Sequence, residues 1–353
     1  MRKGAGAGYM DDPDLLGAYL LYYWPVSYLQ VSLSLAARPR AEAGFAPRRI
    51  LDLGSGPGPA SAAILDAGSA GGAGRPEEIV LADASRKALD LASSLLAPDA
   101  AAGARIATTL LDLEAGQELP AGAFDLIVMG HCLNELWRGR PDAVERRLDL
   151  VRRASERLAP GGRILLIEPA LLSTCRELIA LRDGLARGGW TVLSPCPGSY
   201  ACPAFAAGPE RSCHAQSPWA PNESVASLAK AAGLDRMAVK WSYFLLSPEA
   251  AVESVGAGVA AGAGGANGTR GRVVSDPMLN KAGRLRYALC GDGRLAALSA
   301  RADDEAARAS GFMELRRGDV LRAAGLEERP GGGLGFGPGS SLELVEPFPE
   351  ARP

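Results

Sequence analysis

Three cysteines fall within one short stretch of this chain, as Cys196-Pro197, Cys202-Pro203 and Cys213-His214, and a fourth, Cys290, lies far downstream in Leu289-Cys290-Gly291. In a chain with only six cysteines, such clustering points to metal ligation. Four thiolates can hold zinc tetrahedrally or bind an iron-sulfur cluster, and either group needs ligands that the fold brings together. Spacing alone leaves both open. Structural zinc sites favour tight Cys-x-x-Cys pairs, which are absent here, and His214 could replace one cysteine in such a site. Wide separations with prolines beside the cysteines suit the larger cluster. The plainer alternative is a loop of unliganded thiols stiffened by Pro197, Pro203 and Pro209.

A second chemical signal lies upstream in Asp52-Leu53-Gly54-Ser55-Gly56-Pro57-Gly58, which follows a short apolar run and opens a helix at Pro59-Ala60-Ser61. In a doubly wound fold this is where backbone approaches a ligand, and glycines leave room for it and permit the turn. The third glycine comes one place earlier than in dinucleotide-binding chains, with Pro59 in its stead, which turns the reading from NAD towards S-adenosylmethionine. Asp83 ends the second strand and can accept the ribose hydroxyls. Asp112 follows the third strand and can reach the adenine amino group. Taken singly, each of these aspartates could equally be capping a helix or a turn.

No catalytic base can be named. Cys132 and Thr174-Cys175 invite a thiolate mechanism on a pyrimidine ring, but neither stands in the motif such enzymes use, and burial as small apolar residues is the simpler account. His131 could act as a base near neutral pH or serve only in packing, and no Asn-Pro-Pro-Tyr-like motif follows the fourth strand.

These residues need a scaffold, and the sequence supplies one. Strands are expected at Ile50 to Leu53, Glu78 to Ala82, Ile106 to Leu111, Asp125 to Met129 and Arg163 to Ile167, alternating with amphipathic segments. That rhythm belongs to a parallel sheet wrapped by helices. A helix from Leu172 to Ala186 leads into a sixth strand, Trp190 to Ser194, which delivers Cys196 at its end. A helix from Glu223 to Ala232 precedes a seventh, Val239 to Leu245. The apolar and aromatic residues 14–37 read as a pair of helices broken at Pro25. The expected fold is therefore α/β, a Rossmann-like doubly wound seven-stranded sheet over residues 46–248 that includes a Cys-rich loop at 196–220. It is preceded by a helical segment (1–45) and followed by a flexible Gly/Ala insertion (249–272). A small β module over 273–347 contributes Cys290, with strands expected at Arg284 to Cys290, Leu295 to Ser299 and Leu342 to Val345.

With 353 residues and a formal net charge of −2, the chain can bury a large core and is not coated in basic charge. No window reaches the roughly 18 to 20 uninterrupted apolar residues of a membrane span, and the N-terminal residues resemble neither a signal nor a transit peptide. A soluble, cytoplasmic protein is expected, one in which cysteines seldom pair as disulfides.

The glycine run, Leu133-Asn134-Glu135-Leu136, Pro160-Gly161-Gly162, Ile167-Glu168-Pro169, the two Cys-Pro pairs, Cys213-His214 and Cys290 together resemble the methyltransferase-like assembly factor of the mitochondrial small ribosomal subunit and its bacterial relatives. The resemblance spans about Tyr19 to Asp319. It departs from the family at Gly198, Ser212 and Ala215, where His, Trp and Phe are usual. It implies a class I methyltransferase fold that binds S-adenosylmethionine through Asp52, Gly54, Ser55, Gly56, Gly58, Asp83 and Asp112. It also implies a [4Fe-4S] cluster on Cys196, Cys202, Cys213 and Cys290, and association with small-subunit ribosomal RNA; a monomer is expected. Two arginine-rich groups could meet RNA. One comprises Arg138, Arg140, Arg146, Arg147, Arg152, Arg153 and Arg157, among acids that could neutralise it. The better candidate is Lys230, Arg236, Lys240, Arg270, Arg272, Lys281, Arg284 and Arg286. The rival reading is an active methyltransferase of RNA or of a small molecule, with a structural zinc site.

Overall fold

The computed structural model describes residues 8–70, 74–234, 237–249, 268–329, 331–337 and 339–351. The first sheet carries β1 (Arg49–Leu53), β2 (Glu78–Asp83), β3 (Arg105–Leu110), β4 (Phe124–Gly130), β5 (Leu158–Pro169), β6 (Thr191–Ser194), β7 (Ala215–Pro218) and β8 (Ala238–Ser247). Their order is β3-β2-β1-β4-β5-β8-β6, with β7 added along β8. The first five strands run parallel, and β8 enters antiparallel between β5 and β6. This is the Rossmann-like order of class I methyltransferases, with the chain reversing between β1 and β4, so the ends of both strands open onto one crevice.

Ile50, Leu51 and Leu53 have no exposed surface, as expected for a central strand covered on both faces. Each such side chain stabilises the fold by about 1.5–3 kcal/mol on burial. Two apolar layers flank the sheet. One holds Ile50, Ile79, Leu81, Val128, Leu165 and Trp241, and the other holds Leu51, Leu53, Phe124, Ile127, Leu150 and Leu166.

The helices are α1 (Pro13–Ala36), α2 (Pro59–Ala70), α3 (Arg86–Leu95), α4 (Ala97–Ala101), α5 (Ala143–Ser155), α6 (Leu172–Arg187), α7 (Pro203–Ala206), α8 (Glu223–Ala231) and α9 (Glu305–Ala309). In place of a helix pair, α1 is one unbroken helix with Pro25 inside it. Proline removes one hydrogen bond, that to the carbonyl of Leu21, a residue 58% exposed. Tertiary contacts offset the loss. Trp24 Nε1 donates to Pro57 O at 3.1 Å, Gln30 Nε2 to Lys240 O at 3.1 Å and Trp241 Nε1 to Ser34 Oγ at 2.8 Å.

The second sheet has the order β14-β15-β12-β11-β9-β13-β16, with β10 on β11. Its strands are β9 (Thr269–Val273), β10 (Met278–Leu279), β11 (Arg284–Gly291), β12 (Arg294–Arg301), β13 (Val320–Ala324), β14 (Glu327–Arg329), β15 (Gly333–Gly335) and β16 (Ser341–Glu346). Tyr287, Leu289, Leu298, Phe312 and Leu321 pack beneath it. Most of the expected flexible insertion, residues 250–267, lies outside those described, but its last residues form β9 in the middle of the sheet. A β-carbon at Gly271 would sit 2.7 Å from Leu289 Cγ, so glycine is what lets β9 lie close against β11. β7 is also unanticipated, because Ala-Gln-Ser-Pro carries no strand signal of its own and is ordered by pairing with β8.

The two sheets meet. Phe348, beyond β16, packs 6.0 Å from Trp241 in the first core, and Ala351 N donates to Ser217 Oγ at 3.0 Å.

Candidate functional site

Between β1 and α2 the chain turns on Gly54, Gly56 and Gly58, all with positive φ (68°, 51° and 75°). A β-carbon on Gly54 would stand 2.5 Å from Cys132 Cβ, so the loop is closed from below by the residue after His131. The Cys132 thiol approaches Leu53 O at 3.3 Å, and burial raises its pKa well above the usual thiol range, as befits an inert packing residue. Asp52 is 1% exposed. One of its oxygens accepts from Ser61 Oγ at 2.7 Å, and the other is buried with no partner among the described residues. Burial pushes its carboxyl up to about 7 against the pull of Ser61. Asp83 accepts from Gly56 N and from Ser85 N, both at 2.8 Å, bracing the loop from the neighbouring strand. A carboxylate has about four lone-pair sites, so these bonds leave capacity for sugar hydroxyls. Ser55 is buried in the turn. Asp112 is exposed and caps a short turn by accepting from Glu114 N at 2.9 Å, the capping role weighed for it above.

Helix α1 and the residues before it roof this crevice. Trp24 binds the loop at Pro57, Met10 lies over Gly56, and Asp11 accepts from Ser85 Oγ at 2.6 Å. Tyr19 is raised above the ordinary phenol range, first by burial and then by the charges of Glu135, Asp52 and Asp83. On the other side Glu168, 1% exposed, accepts from both the backbone and the side chain of Asn134 and so fixes the loop after β4. Burial lifts its carboxyl to about 8.

The second site lies on the seam between the sheets. Cys196 follows β6, Cys202 caps α7, Cys213 precedes β7 and Cys290 lies near the end of β11. All are partly buried and free. Burial pushes the Cys196 and Cys290 thiols up to about 12 and raises Cys202, and neighbouring thiols of the group add to the rise at each of the three. Among the described residues no group of three or more His, Cys, Asp or Glu side chains converges tightly enough for a single metal ion. Thiolates are soft donors that suit either zinc or an iron-sulfur cluster.

Two buried guanidiniums flank the thiols. Arg182, 1% exposed, pairs with Asp183 at 2.6 Å, donates to Gly198 O at 2.7 Å and binds Tyr200 O, while Asp183 accepts from Cys202 N at 3.1 Å. Arg272, 4% exposed, stands opposite Cys290 in the β9–β11 ladder and lies over Phe348. Both lower the Cys196 pKa, so the pocket is built to offset negative charge. Arg176 adds two bonds, to Gly208 O and Arg211 O at 2.8 Å each, that brace the stretch between Cys202 and Cys213. His214 is held neutral, its pKa lowered to about 4 by burial and then by Arg317 and Lys240.

Residues 15–299 match the family described as mitochondrial small ribosomal subunit Rsm22. The chain belongs to this family. That bears out the resemblance read from the glycine run and the Cys-Pro pairs. No curated protein matches the chain. Distant fold likenesses appear among solved structures. An S-adenosylmethionine-dependent methyltransferase from Leishmania major is 17% identical, with 63% of this chain and 72% of that chain covered and a TM-score of 0.39. The plantazolicin methyltransferase BpumL in complex with SAH is 13% identical, with 68% and 92% covered and a TM-score of 0.40. The ribosomal protein L11 methylase of Lactobacillus delbrueckii is 16% identical, with 62% and 77% covered and a TM-score of 0.33. The fold assignment rests on the strand order itself.

Of the basic groups, the first is largely neutralised. Arg140 and Arg146 pair with Asp142, Arg147 with Glu177 and Arg152 with Asp149. In the second, Arg270 pairs with Glu346, whereas no ion pair among the described residues involves Lys230, Lys240, Lys281, Arg284 or Arg286; Arg236 lies outside those residues. No helix among them is long and apolar enough to cross a membrane. The sequence reading missed Tyr19, Trp24, Arg176, Arg182 and Glu168 as site-building residues. Only Glu168, in the quoted Ile-Glu-Pro, carried a signal, a lone acid ending an apolar strand.

Proposed function

We propose that this protein is a ribosome-assembly factor that binds S-adenosylmethionine on the β1–α2 loop, carries a [4Fe-4S] cluster on Cys196, Cys202, Cys213 and Cys290, and docks as a monomer on small-subunit ribosomal RNA. The observation that supports the reading is that Cys196, Cys202, Cys213 and Cys290, drawn from two segments far apart in sequence, lie within electrostatic reach of one another beside the buried Arg182 and Arg272. Family membership supports the ribosomal partner, and six free cysteines fit a reducing compartment such as the cytoplasm. In this reading Gly54, Ser55, Gly56 and Gly58 cradle the cofactor, Asp83 takes its ribose and Asp112 its adenine, while Tyr19 and Trp24 close the crevice. A cluster bound at the seam would supply a rigid anionic link between the sheets. Arg182 and Arg272 would offset its charge and hold the cysteine loop in place.

Anaerobic purification tests the cluster. The protein should be brown, with iron and sulfide in equal amounts and a broad visible band lost in Cys196→Ser and Cys290→Ser. A colourless protein with stoichiometric zinc sinks the proposal and favours the zinc alternative. Label transfer from S-adenosylmethionine to immature small subunits, abolished by a Gly54 substitution, would replace the assembly role by catalysis. A folded, cluster-free variant should bind RNA more weakly, because the second sheet loses its link to the first.

A further inference from the structure

The second sheet carries a cleft of about 370 Å³ lined by Leu279, Asn280, Arg284, Arg286, Ser299 and Arg329, with no acid among its lining residues. Arg284 and Arg286 alternate with the buried Tyr287 and Leu289 and so project from the opposite face of β11, the face that also bears Cys290. Across the ladder, Arg286 stands opposite Ser299. Neither Arg284 nor Arg286 makes an ion pair among the described residues; Arg284 reaches only Ser299 Oγ at 3.5 Å, and Arg286 only the Met278 sulfur at 4.0 Å. Arg329, by contrast, is committed to Glu327 at 2.9 Å and to Phe336 O at 3.1 Å, so it shapes the wall. Asn280 accepts two backbone N–H bonds through its oxygen, which fixes the turn before β11. Its amide nitrogen has no partner among the described residues. Leu279, 67% exposed, forms an apolar rim.

Two unneutralised guanidiniums on a rigid strand, about 7 Å apart along it, with an amide, a hydroxyl and an apolar edge beside them, match a chain of phosphates with a base attached. The volume is that of a small-ligand pocket. The groove is short and lies on a sheet, too small to span the grooves of an RNA duplex. We propose that this cleft binds a single-stranded RNA segment, Arg284 and Arg286 each holding one phosphate, with Asn280, Ser299 and Leu279 against the intervening nucleotide. The proposal rests on the RNA-binding reading above and gives it a place, about 13 Å along β11 from Cys290 to Arg286.

Fluorescence anisotropy with an unstructured RNA oligomer of about 12 nucleotides, on the whole purified protein, tests it. Arg284→Ala with Arg286→Ala should weaken binding about tenfold and reduce the slope of log affinity on log salt by about 1.4, two contacts at about 0.7 each on a single strand. Arg286→Glu should weaken it further, and Arg152→Ala with Arg153→Ala on α5 should leave it unchanged. Equal melting temperatures establish that the variants fold. If the wild type binds RNA and the double variant binds equally well, the cleft is not the site, although the RNA reading stands. If the wild type binds no RNA, both fall. Tighter binding of the matching duplex, or of a phosphoserine peptide, would also overturn the proposal.

Discussion

The glycine loop and the cysteine seam are built on opposite principles. The loop is written in consecutive residues, Asp52 to Gly58, on one strand-turn-helix unit, with Asp83 arriving from the adjacent parallel strand. The seam takes Cys196, Cys202 and Cys213 from a loop braced by α6, and Cys290 from a different sheet whose ladder also supplies Arg272. A local site takes its backbone from one βα unit and needs only side chains from neighbours to complete it. A site assembled from distant segments exists only when both sheets are in place, and it is correspondingly easy to lose in part.

The sharpest way to break this contrast is to cut the supports of the seam without touching a cysteine. Arg182→Met leaves Asp183 buried without its cation and frees Gly198 and Tyr200. Breaking such a buried pair costs about 3–5 kcal/mol, so denaturant melts should show a loss of that order. Amide hydrogen exchange should then quicken in the 196–213 loop while α2 and the β1 loop stay protected. Equal protection of both regions would mean that they are not separable.

On the loop side, Gly54→Ala forces a side chain into positive φ, about 1–2 kcal/mol, and drives its Cβ into Cys132, with overpacking at about 1–3 kcal/mol more. A destabilisation of about 2–4 kcal/mol and loss of S-adenosylmethionine binding by calorimetry are expected, with thiol accessibility at Cys196 and Cys290 unchanged. A smaller, pH-dependent effect is expected at Glu168. Because it binds its proton more tightly in the fold than in the unfolded chain, its contribution to stability is full below its ordinary value of 4.5 and is lost as pH rises towards about 8. Melting temperatures of wild type and Glu168→Gln, followed from pH 4.5 to 8, should therefore move in favour of the variant as pH rises. The smallest effect belongs to Asp142. It holds Arg140 and Arg146 on an exposed face, where ion pairs contribute little, so Asp142→Asn should leave the melting temperature unchanged within error. A clear drop would show that the pairs of Asp142 with Arg140 and Arg146 do more than neutralise exposed charge.

The first five strands were legible because a strand buried on both faces must be an unbroken apolar run, as in Ile50-Leu51 or Leu126-Ile127-Val128, and because glycine and proline punctuate the turns between them. The continuity of α1 through Pro25 was not legible. The local rule counts the missing N–H but cannot count the bonds from Trp24, Gln30 and Trp241 that hold the helix together. β7 and β9 were likewise invisible, since Ala-Gln-Ser-Pro and Thr-Arg-Gly-Arg-Val become strands only beside partners that come from elsewhere in the chain.

Sequence by itself determined the chemistry available here: a glycine turn after a buried strand, acids at the ends of the next strands, and four thiols in two places. These are properties of residue type and near-neighbour spacing, which the chain fixes before it folds. Tertiary structure decided which groups meet. It buried Tyr19 within reach of the acids' charge, put Asp112 on a turn, buried Arg182 and Arg272 beside the thiols and left Arg284 and Arg286 without acidic partners among the described residues. Burial and charge compensation depend on segments far apart in sequence, and only the packed chain brings them within reach of one another.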